Sequence, residues 1–219
     1  MNASTIESPD AVPVQTSVAA KMLNLLVCPT LVFDEVLAGP PKTANWLVPA
    51  VFVCLSSLLV LGITSEPPPT SDGTAVSMHW SGIARLVLCA SVFLGTLWSG
   101  LGLWLIGRFL LKRRFQFVKA VEVAGLSATI LVLATITTGL LTLAVGNPLA
   151  RPALSLLCSN LPSDSPLLAV ASVFNVFHLW AAGVLAIGLA RLAKVAVMEA
   201  GFWVFGFWIF ARIGLIILS

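Results

Sequence analysis

Glu122, Asn175 and His178 are polar groups set in or beside long apolar runs, and an ionisable or amide group at membrane depth is a candidate ion, proton or substrate contact. Glu122 opens its run with Lys119 one turn earlier. Helical positions three apart are neighbours, so a local ion pair is the plainer reading. Asn175 and His178 are also three apart and would share a helix face. A metal site needs more ligands than these, and His79 is the only other histidine. Hydrogen bonding between helices accounts for the pair better.

A second constellation is basic. Arg108, Lys112, Arg113, Arg114 and Lys119 crowd one short segment, RFLLKRRFQFVK, with Phe115 and Phe117 between the charges. Cations at a membrane surface attract anionic headgroups by about 1 kcal/mol each, and aromatic neighbours anchor a turn in the interface. The bland alternative is that these charges only fix topology.

Catalytic signatures are missing from the sequence. It carries no Ser/His/Asp or H-E-x-x-H arrangement and no paired carboxylates facing one cavity, so no enzyme activity and no cofactor is expected. Gly100-x-Gly102 lies within an apolar run with no strand before it, which excludes a nucleotide loop. Cys28, Cys54, Cys89 and Cys158 form no C-x-x-C pair and read as small core residues. The net charge of +3 is too weak for nucleic-acid binding.

The elements that carry these residues follow from composition. Hydrophobic residues make up 58% of the 219 and charged residues 10%, more apolar than one soluble core can hide. We expect an all-α, polytopic integral membrane bundle of about five transmembrane helices. Spans are expected near Trp46–Ile63, Leu86–Ile106, Val121–Val145, Leu167–Ala190 and Phe202–Leu218, each close to the roughly 20 residues that cross a bilayer. Residues 42–219 form this domain. Residues 1–17, with Pro9 and Pro13, read as a disordered arm. Residues 18–41 read as two short amphipathic helices at the interface or against the bundle, broken at Pro29 and stopped by Gly39-Pro40-Pro41. In the first, Val18, Met22, Leu25 and Leu26 oppose Lys21, Asn24 and Cys28.

Basic residues outside the spans set the orientation. Lys21, Lys42, Arg108, Lys112, Arg113, Arg114, Lys119, Arg191 and Lys194 fall on one side, against Arg85 and Arg151 on the other. The N-terminus is therefore expected in the cytoplasm and Ser219 outside. The connection Ser65–Met78, without Lys or Arg, is expected outside too, and Arg212 is expected to snorkel outward. Trp46, Trp80 and Trp203 fall at span ends. Small residues recur four apart at Gly95 and Ser99, at Thr135 and Gly139, and at Ala182, Ala186 and Ala190, a spacing that lets helices approach closely.

Two segments go beyond composition. One is Leu26-Val27-Cys28-Pro29-Thr30-Leu31-Val32-Phe33-Asp34-Glu35, followed by Pro40-Pro41 and the first span. The other is Phe174-Asn175-Val176-Phe177-His178-Leu179-Trp180, running into Leu185-Ala186-Ile187-Gly188-Leu189 and the turn before Met198-Glu199-Ala200. With five spans, these resemble the Yip family of membrane proteins, especially its bacterial branch. Its members show a P-x-x-x-F entry helix and an aromatic fourth span leading to a G-L pair. The resemblance implies a multi-pass protein of the bacterial inner membrane. It implies a non-catalytic scaffold or partner subunit in membrane organisation or trafficking, as eukaryotic members associate with Rab-type GTPases. It carries over no catalytic residue. The expected partners are anionic lipid headgroups and a protein partner or a second copy of the chain. A small oligomeric transporter or channel, using Glu122, Asn175 and His178, is the alternative.

Overall fold

The computed structural model describes residues 16–64, 82–146, 150–158, 165, 171 and 174–218, with the side chains of 64, 157, 158 and those from 212 onward excepted. Expectations for residues 1–15, for Ser65–Met78, for His79 and Trp80, for Leu167, for Ser219 and for the side chains of Cys158 and Arg212 fall outside that set.

Eight α-helices organise the described residues. Two short ones, α1 (Val18–Val27) and α2 (Pro29–Ala38), precede α3 (Ala44–Thr64) and α4 (Gly82–Leu105). Helix α4 runs on through a π-helical turn, Ile106–Leu110. Then come α5 (Phe117–Ser127), α6 (Thr129–Val145), α7 (Val176–Ala193) and α8 (Val197–Leu218). Four stretches are long and apolar enough to cross a membrane: Ala44–Ile63, Gly82–Leu110, Phe117–Val145 and Val176–Ala193. Helix α8 is also apolar, with Val197–Ala211 as its described part. No strand occurs among the described residues beyond one antiparallel bridge, Ala153 to Asn175. The chain is an all-α, polytopic helical bundle of the multi-pass membrane class.

Most helices begin earlier or end later than the apolar runs. The second continues past Ile106 to Leu110, and the third starts at Phe117 rather than Val121. Arg85 and Arg108, both exposed, stay helical at the ends of the second, where the backbone keeps its bonds while the side chain reaches water. Lys119, at the start of the third, is instead buried against Glu122. The fourth goes the other way. It starts at Val176, because Asn175 is extended and its side-chain oxygen accepts the Phe177 N–H at 2.9 Å, an N-cap.

Lipid offers little hydrophobic drive between helices, so close approach must hold the bundle. Gly125 allows it: a Cβ there would lie 2.3 Å from the Cα of Trp46, which locks α5 against α3. Gly188 in α7 does the same, since its Cβ would meet Val123 at 2.2 Å and Phe33 at 3.2 Å. The small-residue stripes divide. Ala182, Ala186 and Ala190 are buried on α7, and Gly139 sits against Val60 of α3. Gly95 packs against nothing within 4 Å.

The entry arm belongs to the core. Leu25, Val32, Phe33 and Val36 join the same buried cluster as Leu103, Val123, Leu126 and Leu189. Two details of the expected arm are corrected. Thr16 and Ser17 are ordered, since Thr16 donates to Glu35 at 2.7–3.0 Å and Ser17 caps α1 through the Ala20 N–H. Lys21 is buried beside Glu35 at 3.4 Å rather than standing in water. The outward face carries Leu23, Val27 and Leu31 instead, with Val27 81% exposed.

The cysteines are corrected as well. Cys54 of α3 and Cys89 of α4 form a disulfide across a sequence separation of 35, with Cα atoms 5.4 Å apart. Cys28 is free and exposed.

Candidate functional site

The arm, the start of α3 and the start of α5 converge at one end of the bundle on Glu122. Its side chain is completely buried. The Lys119 ammonium lies 2.8 Å from Oε2 and donates to the Val36 carbonyl at 2.7 Å. Asn45 Nδ2 donates to Oε1 at 3.1 Å, and the Lys42 backbone N–H donates to the same oxygen. The spacing of Lys119 and Glu122 foretells the pair. What reaches it from the arm and α3, about 80 residues earlier, has only one sequence signal, the polar Asn45 at the mouth of an apolar run. Contacts to Lys119, Asn45 and the Lys42 N–H make this carboxylate a fastening between arm and bundle.

Lys119 therefore departs from the exposed basic set. It is 8% exposed, whereas Arg108, Lys112, Arg113 and Arg114 are all exposed. The π-helical turn positions these four. Leu111 is buried as the cap, and its N–H donates to the Ile106 carbonyl at 3.0 Å. Lys112 takes φ 54°, a left-handed conformation usually left to glycine, and the Arg113 N–H closes the turn on the Gly107 carbonyl at 2.8 Å. Phe115 then folds against Gly107, where a Cβ would lie 2.3 Å from its ring. The Arg108 guanidinium lies over the Trp104 ring at 5.5 Å, a cation–π contact. Exposed Phe109, Leu110, Phe117 and Val118 flank the charges. Ion pairs among the described residues take Lys21, Lys119 and Arg191, and none takes Lys112, Arg113 or Arg114. The turn is a fixed cationic surface rimmed by apolar side chains.

Asn175 and His178 do not share a helix face, because Asn175 is the cap before the helix. His178 lies on the wall of a cleft of about 800 Å³ bounded chiefly by α4, α5, α6, α7 and α8. Glu122 is not on that wall. The three candidate polar residues thus occupy three settings: a buried ion pair, a helix cap and a cleft wall. No group of three or more His, Cys, Asp or Glu side chains able to hold a metal ion occurs among the described residues.

In the cleft, small residues do the shaping: Gly95 and Gly102 on α4, Ala124 and Ser127 on α5, Ala181 and Ala182 on α7. The hydroxyls that line it are turned back on their own helices. Ser91 donates to the Leu88 carbonyl at 2.7 Å, Thr96 to Val92 at 3.0 Å, Ser99 to Gly95 at 2.9 Å and Ser127 to Val123 at 2.8 Å. The stripe Gly95–Ser99, expected to pack a helix, instead opens this space.

Comparison with family models, with curated proteins and with solved structures finds no match to the chain.

Proposed function

We propose that this protein is a non-catalytic membrane scaffold or partner subunit of the kind the Yip-like resemblance implies, whose contact surface is the bundle end formed by α1, α2 and the Arg108–Arg114 turn. The carrying observation is the division of charge there. Lys119 and Glu122 are consumed inside, holding the arm in place, while Lys112, Arg113 and Arg114 stay exposed on a pinned turn. The arm itself turns Leu23, Val27 and Leu31 outward. A rigid surface that joins cations to apolar side chains suits an anionic leaflet and an acidic protein partner held against it. We place this end in the cytoplasm, from the basic bias of the connections, and the protein in a bacterial inner membrane.

Removing the arm would not test this, because Leu25, Phe33 and Val36 are part of the core. Surface substitutions do. Leu23→Ser with Val27→Ser, and separately Arg113→Glu with Arg114→Glu, should each lose whatever copurifies with the wild-type protein in mild detergent, while elution of the bundle stays unchanged. A stoichiometric partner kept by both variants would sink the proposal.

A small oligomeric transporter or channel is the second reading, favoured by His178 on the wall of a large cleft. Liposome flux abolished by His178→Ala would support it.

A further inference from the structure

The cleft has dimensions and chemistry of its own. At about 800 Å³ it falls in the range of ligand pockets, roughly 300–1,000 Å³. Along α4 its wall runs from Ser91 to Ile106, about 22 Å at roughly 1.5 Å per residue. That exceeds the roughly 15 Å depth of one bilayer leaflet. Gly95 and Trp98 on the wall are exposed at the bundle surface, so the space is reached from the lipid. Four lining hydroxyls already donate to carbonyls of their own helices, leaving little unmet polar demand for a polar guest. One end of the cleft is Ile106, in the same π-helical turn as Arg108 and a few residues before Lys112, Arg113 and Arg114.

We propose that the cleft binds an acyl chain of an anionic glycerophospholipid whose phosphate rests on the Arg108–Arg114 turn. The small residues of α4 and α7 make room for the chain. The cations favour an anionic headgroup, because its phosphate keeps a net negative charge beside the exposed arginines, whereas the choline of a zwitterionic lipid brings a second cation against them. The headgroup half rests on the reading of the basic turn given above, whereas the chain half stands on the cleft alone.

The test uses the full-length protein in detergent, incubated with palmitoyl-oleoyl phosphatidylglycerol or with phosphatidylcholine of the same chains, and native mass spectrometry of what is retained. Wild type should retain phosphatidylglycerol in preference to phosphatidylcholine. Gly95→Leu points into open space, so the bundle should fold with its cleft filled and retention of both lipids should fall by about tenfold or more. Gly206→Leu, equally unobstructed but off the cleft wall, should retain lipid as wild type does. Should Gly95→Leu elute as a misfolded species, Ser99→Leu on the same wall is the replacement. Arg108→Gln with Arg113→Gln should remove the anionic preference and leave chain retention. Undiminished retention in the filled-cleft variant, or no retention by wild type, overturns the proposal. An anionic preference untouched by the arginine changes overturns the headgroup placement and weakens the basic-turn surface, while the Gly95→Leu result still decides the chain site.

Discussion

Lys119 and Arg114 are five residues apart in one basic stretch, yet they end in opposite environments. Lys119 points inward to Glu122 and the Val36 carbonyl, with almost none of its surface exposed. Arg114 remains outside, on a turn closed by Lys112 in the left-handed region. The difference is made by the helix boundary between them. Once α5 starts at Phe117, its first turn delivers Lys119 and its second Glu122 to one buried face, whereas residues before the boundary follow the turn outward. Charge density along a sequence therefore does not report a surface until helix starts are known. Buried charges hold parts together, and exposed ones are available to a leaflet or partner.

The contrast can be broken most severely from the inside. Glu122→Ala leaves the Lys119 ammonium, Asn45 and the Lys42 N–H without their common acceptor. A buried pair stripped of one partner loses about 3–5 kcal/mol, so this variant should unfold at clearly lower temperature by circular dichroism in detergent. Replacing both members, Lys119→Leu with Glu122→Leu, should recover the part of that loss owed to the unpaired ammonium, with Asn45 and the Lys42 N–H still lacking their acceptor. Failure to recover would mean the pair does more than offset its own burial. Asn45→Ala comes next, at about 1–3 kcal/mol, because one buried donor to Glu122 disappears. Lys112→Ala and Arg114→Ala should shift the same melting curve by less than about 0.5 kcal/mol, as befits exposed side chains. A larger shift would erase the distinction drawn here.

The smallest effect concerns Glu35 on the arm. Desolvation pushes its carboxyl up, but hydrogen bonds from Thr16 and the charge of Lys21 outweigh it, and the group stays below its ordinary range. A depressed carboxyl stabilises the fold in its ionised form. That contribution is complete above the unfolded carboxyl's range, near about pH 4.3, and fades as pH falls below it. The protection of α1 amides, taken as their exchange relative to the intrinsic rate at each pH, should fall slightly on acidification, and Glu35→Gln should remove the dependence. Unchanged protection of these amides at every pH would show that Thr16 and Lys21 do not hold the arm.

Composition and apolar run length make the bundle legible, and the three-residue spacing makes the Lys119–Glu122 pair legible. The start of α7 is not, because the apolar run continues upstream of Asn175 and hides a cap that only the extended backbone reveals. The Asn45 and Lys42 contacts to Glu122 bridge about 80 residues of sequence, and the Cys54–Cys89 bond joins two separate apolar runs, so neither leaves a local pattern. The cleft has the opposite problem. Gly95 and Ser99 carry the spacing of a packed interface, and nothing in spacing tells whether the space beside a small residue is filled by a neighbour or left open.

The Cys54–Cys89 bond has a mechanical consequence for that cleft. It ties α4, the longest wall, to α3, which is itself locked to α5 at Gly125 and to α6 at Gly139. Four helices thus behave as one stiff frame along that side. Helix α8 rests chiefly on α7, so it is the wall with the fewest restraints. The opening at Gly95 and Trp98 lies on this braced side, so a guest of greater bulk would be accommodated by α8, which brings Phe207 and Trp208 to the wall.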